Sequence, residues 1–182
     1  MRKFRYLIMI SFIFAFPQIA KGYVGVKLGV VDEEQFGYGL DVGAQLFWNF
    51  GLAVDLVGYY DKDVGVSNYW LQGNVDLTYD FHEVLEKLME GTDFHPYLKG
   101  GFTYAGLLID SPTVTDIKAN HGPGFNIGAG LDWKVFGPMS IGIELTENFI
   151  FLDGVTVSGV KIADDTTAKV FNAMAVLKVF AY

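Results

Sequence analysis

Apolar and polar residues alternate with a period of two along most of this chain. From Tyr38 to Trp48 the even positions are Tyr38, Leu40, Val42, Ala44, Leu46 and Trp48; between them lie Gly39, Asp41, Gly43, Gln45 and Phe47. Beyond a turn predicted at Asn49-Phe50-Gly51, the positions Leu52, Val54, Leu56, Gly58 and Tyr60 carry the apolar face on, with Asp55 opposite. Side chains of a strand point alternately to its two faces, so this pattern predicts a hairpin whose faces meet different surroundings. Eleven residues at ~3.3 Å rise, tilted by roughly 40°, span about the 25 Å apolar band of an outer membrane.

The same alternation predicts further strands over 23–31, 69–81, 97–107, 125–135, 139–149 and 169–182. The 69–81 segment is the most regular: Tyr69, Leu71, Gly73, Val75, Leu77, Tyr79 and Phe81 share one face, and Trp70, Gln72, Asn74, Asp76, Thr78 and Asp80 the other. A soluble sheet has little use for so long a run in register. In the last strand Phe171, Ala173, Ala175, Leu177, Val179 and Ala181 are assigned outward; the opposite face mixes Asn172, Met174, Val176, Lys178 and Phe180. Between 83 and 90 the period changes, and Val84, Leu85, Leu88 and Met89 fall on one side of a short helix closed by Gly91. Its apolar side is expected on the barrel rim or the membrane surface, with a docking site for a partner as the alternative.

These elements make an all-β, eight-stranded, antiparallel up-and-down transmembrane barrel with one short helix in a periplasmic connection. An even strand count puts both termini on one side, and connections then alternate between short turns and longer loops. Short turns are expected at 49–51 and 136–138 and longer loops at 61–67, 108–123 and 152–168. The longer side is acidic, through Asp32, Glu33, Glu34, Asp61, Asp63, Asp110, Asp116, Asp164 and Asp165. Tyr38, Trp48, Tyr60, Tyr69, Tyr79, Phe81, Phe125 and Trp133 are expected at the two membrane–water interfaces, where amphipathic rings settle.

The first 22 residues read differently. Arg2, Lys3 and Arg5 precede the apolar run 6–16, Pro17 breaks it, and Ala20-Lys21-Gly22 supplies small residues for cleavage. This is the arrangement of a secretory signal peptide, with the cut placed after Gly22. The run is short for a spanning helix. The 23–182 remainder is then the exported barrel. The formal net charge is −8, and the first 22 residues hold four cations and no acid, so the rest carries −12. No Lys/Arg cluster is present to meet phosphates, which argues against nucleic acid.

An eight-stranded barrel has a lumen just wide enough for side chains. The inward set is Lys27, Asp41, Asp55, Gln72, Asn74, Asp76, Lys99, Asn126, Asp132, Lys134 and Glu144, with Gln45 and Asp80 on the same parity. Charges taken out of water must be paired or hydrogen-bonded. One reading is a closed structural network. The other takes six acids against three bases as a wet interior with small cation-preferring conductance.

No catalytic, metal or cofactor site is predicted. The chain has no Cys, and the three His, at 82, 95 and 121, have no Ser within a few residues and match no common ligand spacing. The Gly-rich stretches lack the helix and Lys of a phosphate cradle. Two alternatives stay open: a secreted lipocalin-like barrel enclosing an apolar ligand, with the apolar face inside, and a lipid-modifying enzyme built from a distant Ser and His.

The alternating strands, the leader, the segments Pro96-Tyr97-Leu98-Lys99-Gly100-Gly101-Phe102 and Gly124-Phe125-Asn126-Ile127-Gly128-Ala129-Gly130-Leu131, and the ending Val179-Phe180-Ala181-Tyr182 resemble the small outer-membrane β-barrels of the OmpA-transmembrane and OmpX type. The resemblance spans the whole mature chain and implies residence in outer-membrane lipid. It further implies recognition of a terminal aromatic, here Tyr182, by the barrel-insertion machinery. A protein partner at the outer loops is compatible with it. The helical insert departs from the family's usual tight turn.

Overall fold

The computed structural model describes residues 22–32, 34–63, 66–88, 93–110, 120–154, 156–157, 160–161 and 164–181. Residues 1–21 of the leader, Met89 to Gly91, the centre of the 108–123 loop and Tyr182 lie outside the described residues.

Eight long strands close on themselves: β1 (Gly22–Val31), β2 (Gln35–Phe47), β3 (Phe50–Asp63), β4 (Val66–Asp80), β5 (Phe94–Asp110), β6 (Asn120–Phe136), β7 (Met139–Leu152) and β10 (Thr166–Ala181). Each pairs antiparallel with its sequence neighbour, and β10 pairs with β1 to complete the ring. No barrel edge is left open, so every backbone ladder has a partner, as a lipid environment requires. A small hairpin, β8 (Thr156–Val157) with β9 (Val160–Lys161), stands between β7 and β10. One helix, α1 (His82–Leu88), joins β4 to β5.

One end of the barrel carries the start of β1, the end of β10, the β2–β3 and β6–β7 turns, and α1; it is called the terminal end here. The other, the loop end, carries the β1–β2, β3–β4, β5–β6 and β7–β10 connections. The β2–β3 turn is tighter than its expected place at 49–51: Phe47 pairs with Phe50, and only Trp48 and Asn49 lie between. Trp48 takes a left-handed φ of 49° there. At the β6–β7 turn the same region of backbone space is filled by Gly137, at φ 53°.

The loop-end segments expected at 61–67 and 108–123 are partly strand. Asp61 pairs with Asn68 and Asp63 with Val66, and β6 already begins at Asn120. Outside an apolar slab both faces of a strand meet water, so alternation stops while the hydrogen-bonded ladder continues.

The outward face is apolar along the middle of the barrel. Leu40 is 58% exposed, Leu56 49%, Leu77 51% and Ile143 59%. In β10, Ala175, Leu177 and Val179 point outward while Asn172, Met174, Val176 and Lys178 are buried, the facing assigned from the sequence. A lipocalin-like barrel would need Leu56 and Leu77 in its middle; both stand on the outside, and charged residues occupy the interior. A continuous apolar belt of this size marks contact with lipid rather than water.

Rings flank the belt. Tyr60 packs on Tyr69 with centroids 4.9 Å apart, and Tyr38 is exposed towards the same loop end. At the terminal end Tyr79 meets Phe81 at 4.7 Å, Trp133 meets Phe94 at 5.9 Å, and Trp48 is 82% exposed. Phe125 stacks on Phe149 at 4.9 Å on the outer face. Glu147 also faces outward, 3.3 Å from Lys169 on β10.

Candidate functional site

The lumen is filled in layers, each set by inward positions that the ladder brings to one height. The middle layer is a knot of charge. Lys27 Nζ lies 2.7 Å from Glu144 Oε1, 3.1 Å from Asp55 Oδ2 and 3.8 Å from Asp41 Oδ2. Lys99 Nζ lies 2.8 Å from both Asp55 Oδ2 and Asp76 Oδ2 and 3.0 Å from Glu144 Oε1. Two lysines thus bridge four carboxylates, all nearly inaccessible: Lys27 and Asp41 are 1% exposed and Asp76 0%. Repulsion between the acids is offset only while both ammonium groups stay in place.

Amides line the lumen beside the knot towards the loop end. Asn74 Nδ2 donates to Asp55 Oδ1 at 2.8 Å, and Asn126 Nδ2 to Asp76 Oδ1 at 2.7 Å. Gln72 Nε2 donates to Asn148 Oδ1 at 2.8 Å, and Asn148 Nδ2 to the Val170 carbonyl at 3.0 Å. Beyond them the lumen becomes apolar: Val31, Val57, Trp70, Ala105, Ile150, Leu152, Val170, Met174 and Val176 form one buried cluster, with Tyr59 and Leu107 packed against it. This plug was not expected from sequence. Its signals were Trp70 among the inward residues of β4 and the Met174/Val176 side of β10.

The terminal end opens into a vestibule of about 290 Å³. Two tyrosines floor it, each laid over a glycine on the paired strand: Tyr23 over Gly43 and Tyr97 over Gly130. Any side chain at either glycine would occupy the ring's place. Lys178 Nζ is held between the rings, 4.8 Å from the Tyr23 centroid and 4.4 Å from that of Tyr97. It donates to Asp132 Oδ2 at 2.6 Å and to Tyr97 Oη at 3.3 Å. The Tyr97 hydroxyl in turn donates to Glu144 Oε2 at 2.8 Å, which ties vestibule to knot.

The structure therefore brings together ten of the eleven predicted lumen residues, all but Lys134. Asp132 is among them but belongs to the vestibule wall. Lys134 has inward parity, yet it stands exposed at the mouth beside the irregular step between Lys134 and Phe136. Parity fixes a side chain's face and says nothing of its height. Gln45 is exposed for the same reason, its Nε2 donating to the Trp48 carbonyl at 2.7 Å. Asp80 is a rim residue too: it accepts from the His82 backbone at 2.7 Å, and His95 Nδ1 lies 3.1 Å from its Oδ2. Lys178 takes the interior place expected for Lys134. Among the described residues the buried count becomes five acids, Asp41, Asp55, Asp76, Asp132 and Glu144, against three lysines.

The histidines are engaged elsewhere. His82 and His95 stack at the terminal rim with centroids 3.9 Å apart, and His121 sits on the outer face, its Nδ1 2.8 Å from Tyr104 Oη. Ser140 and His95 both border the vestibule, but Ser140 Oγ has no hydrogen-bond partner among the described residues.

No protein-family model matches the chain, and no curated relative does either. Solved structures do. Neisserial surface protein A superposes with a TM-score of 0.65 at 15% identity, covering 88% of this chain and 97% of that one. The fold is that of a small outer-membrane β-barrel. The N-terminal barrel domain of OprF from Pseudomonas aeruginosa superposes at 0.60 with 16% identity, covering 88% and 97%. A major outer membrane protein of Thermus thermophilus does so at 0.60 with 12% identity, covering 88% and 99%. All three share the fold with this chain.

Proposed function

We propose that this protein is exported by its leader, inserted in the outer membrane with its termini in the periplasm, and serves there as a plugged, non-enzymatic barrel that presents its loop end to the outside. The observation that carries this reading is the closure of the lumen in series. A path along the axis meets first the Lys27–Lys99 knot and then the apolar cluster around Trp70. An ion crossing it would break buried pairs and then enter a segment lined mainly by apolar side chains. The exposed acids Asp32, Asp153, Asp164 and Asp165 at the loop end suit a partner that carries positive charge.

The test has two arms. Fractionation of cells should place the protein in the outer membrane, with a label at Asp32→Cys reactive on intact cells and one at Asn49→Cys silent until the envelope is opened. The reverse labelling pattern would invert the orientation. Planar-bilayer recordings on the folded barrel should show no unitary steps. A second reading, small cation-preferring conductance, draws on five buried acids against three lysines. It requires the apolar plug to open, and cation-selective steps in the same recordings would favour it.

A further inference from the structure

The outer face carries an ion pair inside its apolar belt. Glu147 on β7 has apolar outward neighbours on all four sides: Leu145 and Phe149 along its own strand, Ile127 on β6 and Phe171 on β10. The next outward position, Phe151, is apolar too, so the carboxylate stands within the belt rather than at its rim. It meets Lys169 of β10 at 3.3 Å, and the ammonium also lies over the Phe149 ring, 5.2 Å from its centroid. The pair is open on its outer side: the lysine side chain is 65% exposed and the glutamate side chain 34%. In hydrocarbon that side meets no water, and a charge kept at such a place calls for a partner. The surface beside the pair is shallow. In the next row towards the terminal end Ala129 and Ala173 flank Leu145, and Ala175 follows on β10. Short side chains of this kind let another backbone approach closely.

We infer that this β7–β10 face pairs with a second copy of the same chain about a two-fold axis along the membrane normal. The patch holds a cation and an anion on adjacent strands, which makes it self-complementary under a two-fold rotation. Such an axis, passing between β7 and β10, lays Glu147 against Lys169 of the second copy and Lys169 against its Glu147. Identical belts hold both copies at one depth, so the opposite charges meet level. An anionic lipid would satisfy the lysine alone and leave Glu147 facing another negative charge. The inference rests on the belt meeting lipid and does not depend on what the lumen does.

The test follows self-association of the folded barrel in phosphatidylcholine vesicles. The chain has no Cys, so a single Ala173→Cys marks this face by itself. Copper-phenanthroline oxidation should link these barrels into covalent dimers, while Val75→Cys on β4, across the barrel, should stay unlinked. Energy transfer between barrels labelled at Asn49→Cys should rise and saturate with the protein-to-lipid ratio. Glu147→Lys or Lys169→Glu alone puts like charges opposite each other and should weaken self-association at least about tenfold. An equal mixture of those two variants sets two cations against two acids, and transfer between them should return. Repair within one chain could not produce that result. Glu147→Gln keeps the shape and serves where a reversal does not insert; it should weaken association about tenfold. Heat-modified gel mobility checks insertion separately. Four results overturn the inference: transfer no greater than random mixing, equal cross-linking at positions 173 and 75, a mixture no better than either variant alone, or unchanged association in Glu147→Gln.

Discussion

Lys99 is the residue on which the interior turns most. Its Nζ is within 3.0 Å of oxygens from Asp55, Asp76 and Glu144, and the side chain is 2% exposed. Replacing it by Met would leave Asp55 and Glu144 with Lys27 alone in contact, and Asp76 with no cation in contact, among the described residues. Breaking a buried pair from one side costs about 3–5 kcal/mol, because the remaining charge is neither solvated nor neutralised. Lys99→Met should therefore destabilise the barrel by that amount in urea unfolding from lipid vesicles, while Lys134→Gln at the open mouth should stay within about 0.5 kcal/mol. Equal effects would mean that the knot is solvated. Among the turn residues, Gly137 has φ of 53° with open space where a Cβ would go, so its constraint is backbone alone. Gly137→Ala should lose about 1–2 kcal/mol in the same assay and leave the barrel's gel mobility unchanged.

At the scale of the strand, the sequence reports faces well and heights poorly. The facing of β4 follows from Leu71, Val75 and Leu77 against Gln72, Asn74 and Asp76, because lipid outside and a packed lumen inside demand opposite chemistries at every step. Strand ends carry no such contrast, which is why the Asp61–Asn68 pairing was expected to be loop. The same blindness put Lys134 in the lumen and overlooked Lys178, whose strand has an inward face mixing Met174 and Val176 with charge. The apolar plug escaped for a related reason: an inward Trp70 or Ile150 is readable as an exception until the ladder shows that such residues share one level. Height also governs what substitution does on the outer face. Val75, midway along β4 and 47% exposed, should meet the apolar slab, so Val75→Arg should cost about 2–4 kcal/mol. Tyr69→Arg, near the loop end of the same strand, should add only about 0–1 kcal/mol from its charge. Similar costs at both positions would place the slab elsewhere on the barrel.

For the molecule as a whole, the outer belt and the filled lumen are two consequences of one arrangement. Putting every apolar face outside leaves eight polar faces to satisfy one another in a tube too narrow for bulk water. The solution here is uneven along the axis: aromatic vestibule, charged knot, amides, then an apolar cap. Because these layers lie in series, opening one should not open the tube. Trp70→Ala removes the largest ring of the plug but leaves Lys27 and Lys99 bridging their four acids below it. Lys99→Ala loosens the knot but leaves the plug above. Each single variant should therefore be electrically silent in planar bilayers, whereas the double variant should show cation-preferring steps, since the acids then outnumber the remaining lysines on an open path. Conductance from Trp70→Ala alone would make the plug the whole barrier and the knot merely structural. Silence of a folded double variant would place the barrier elsewhere, with the amide layer of Gln72 and Asn148 next along the axis.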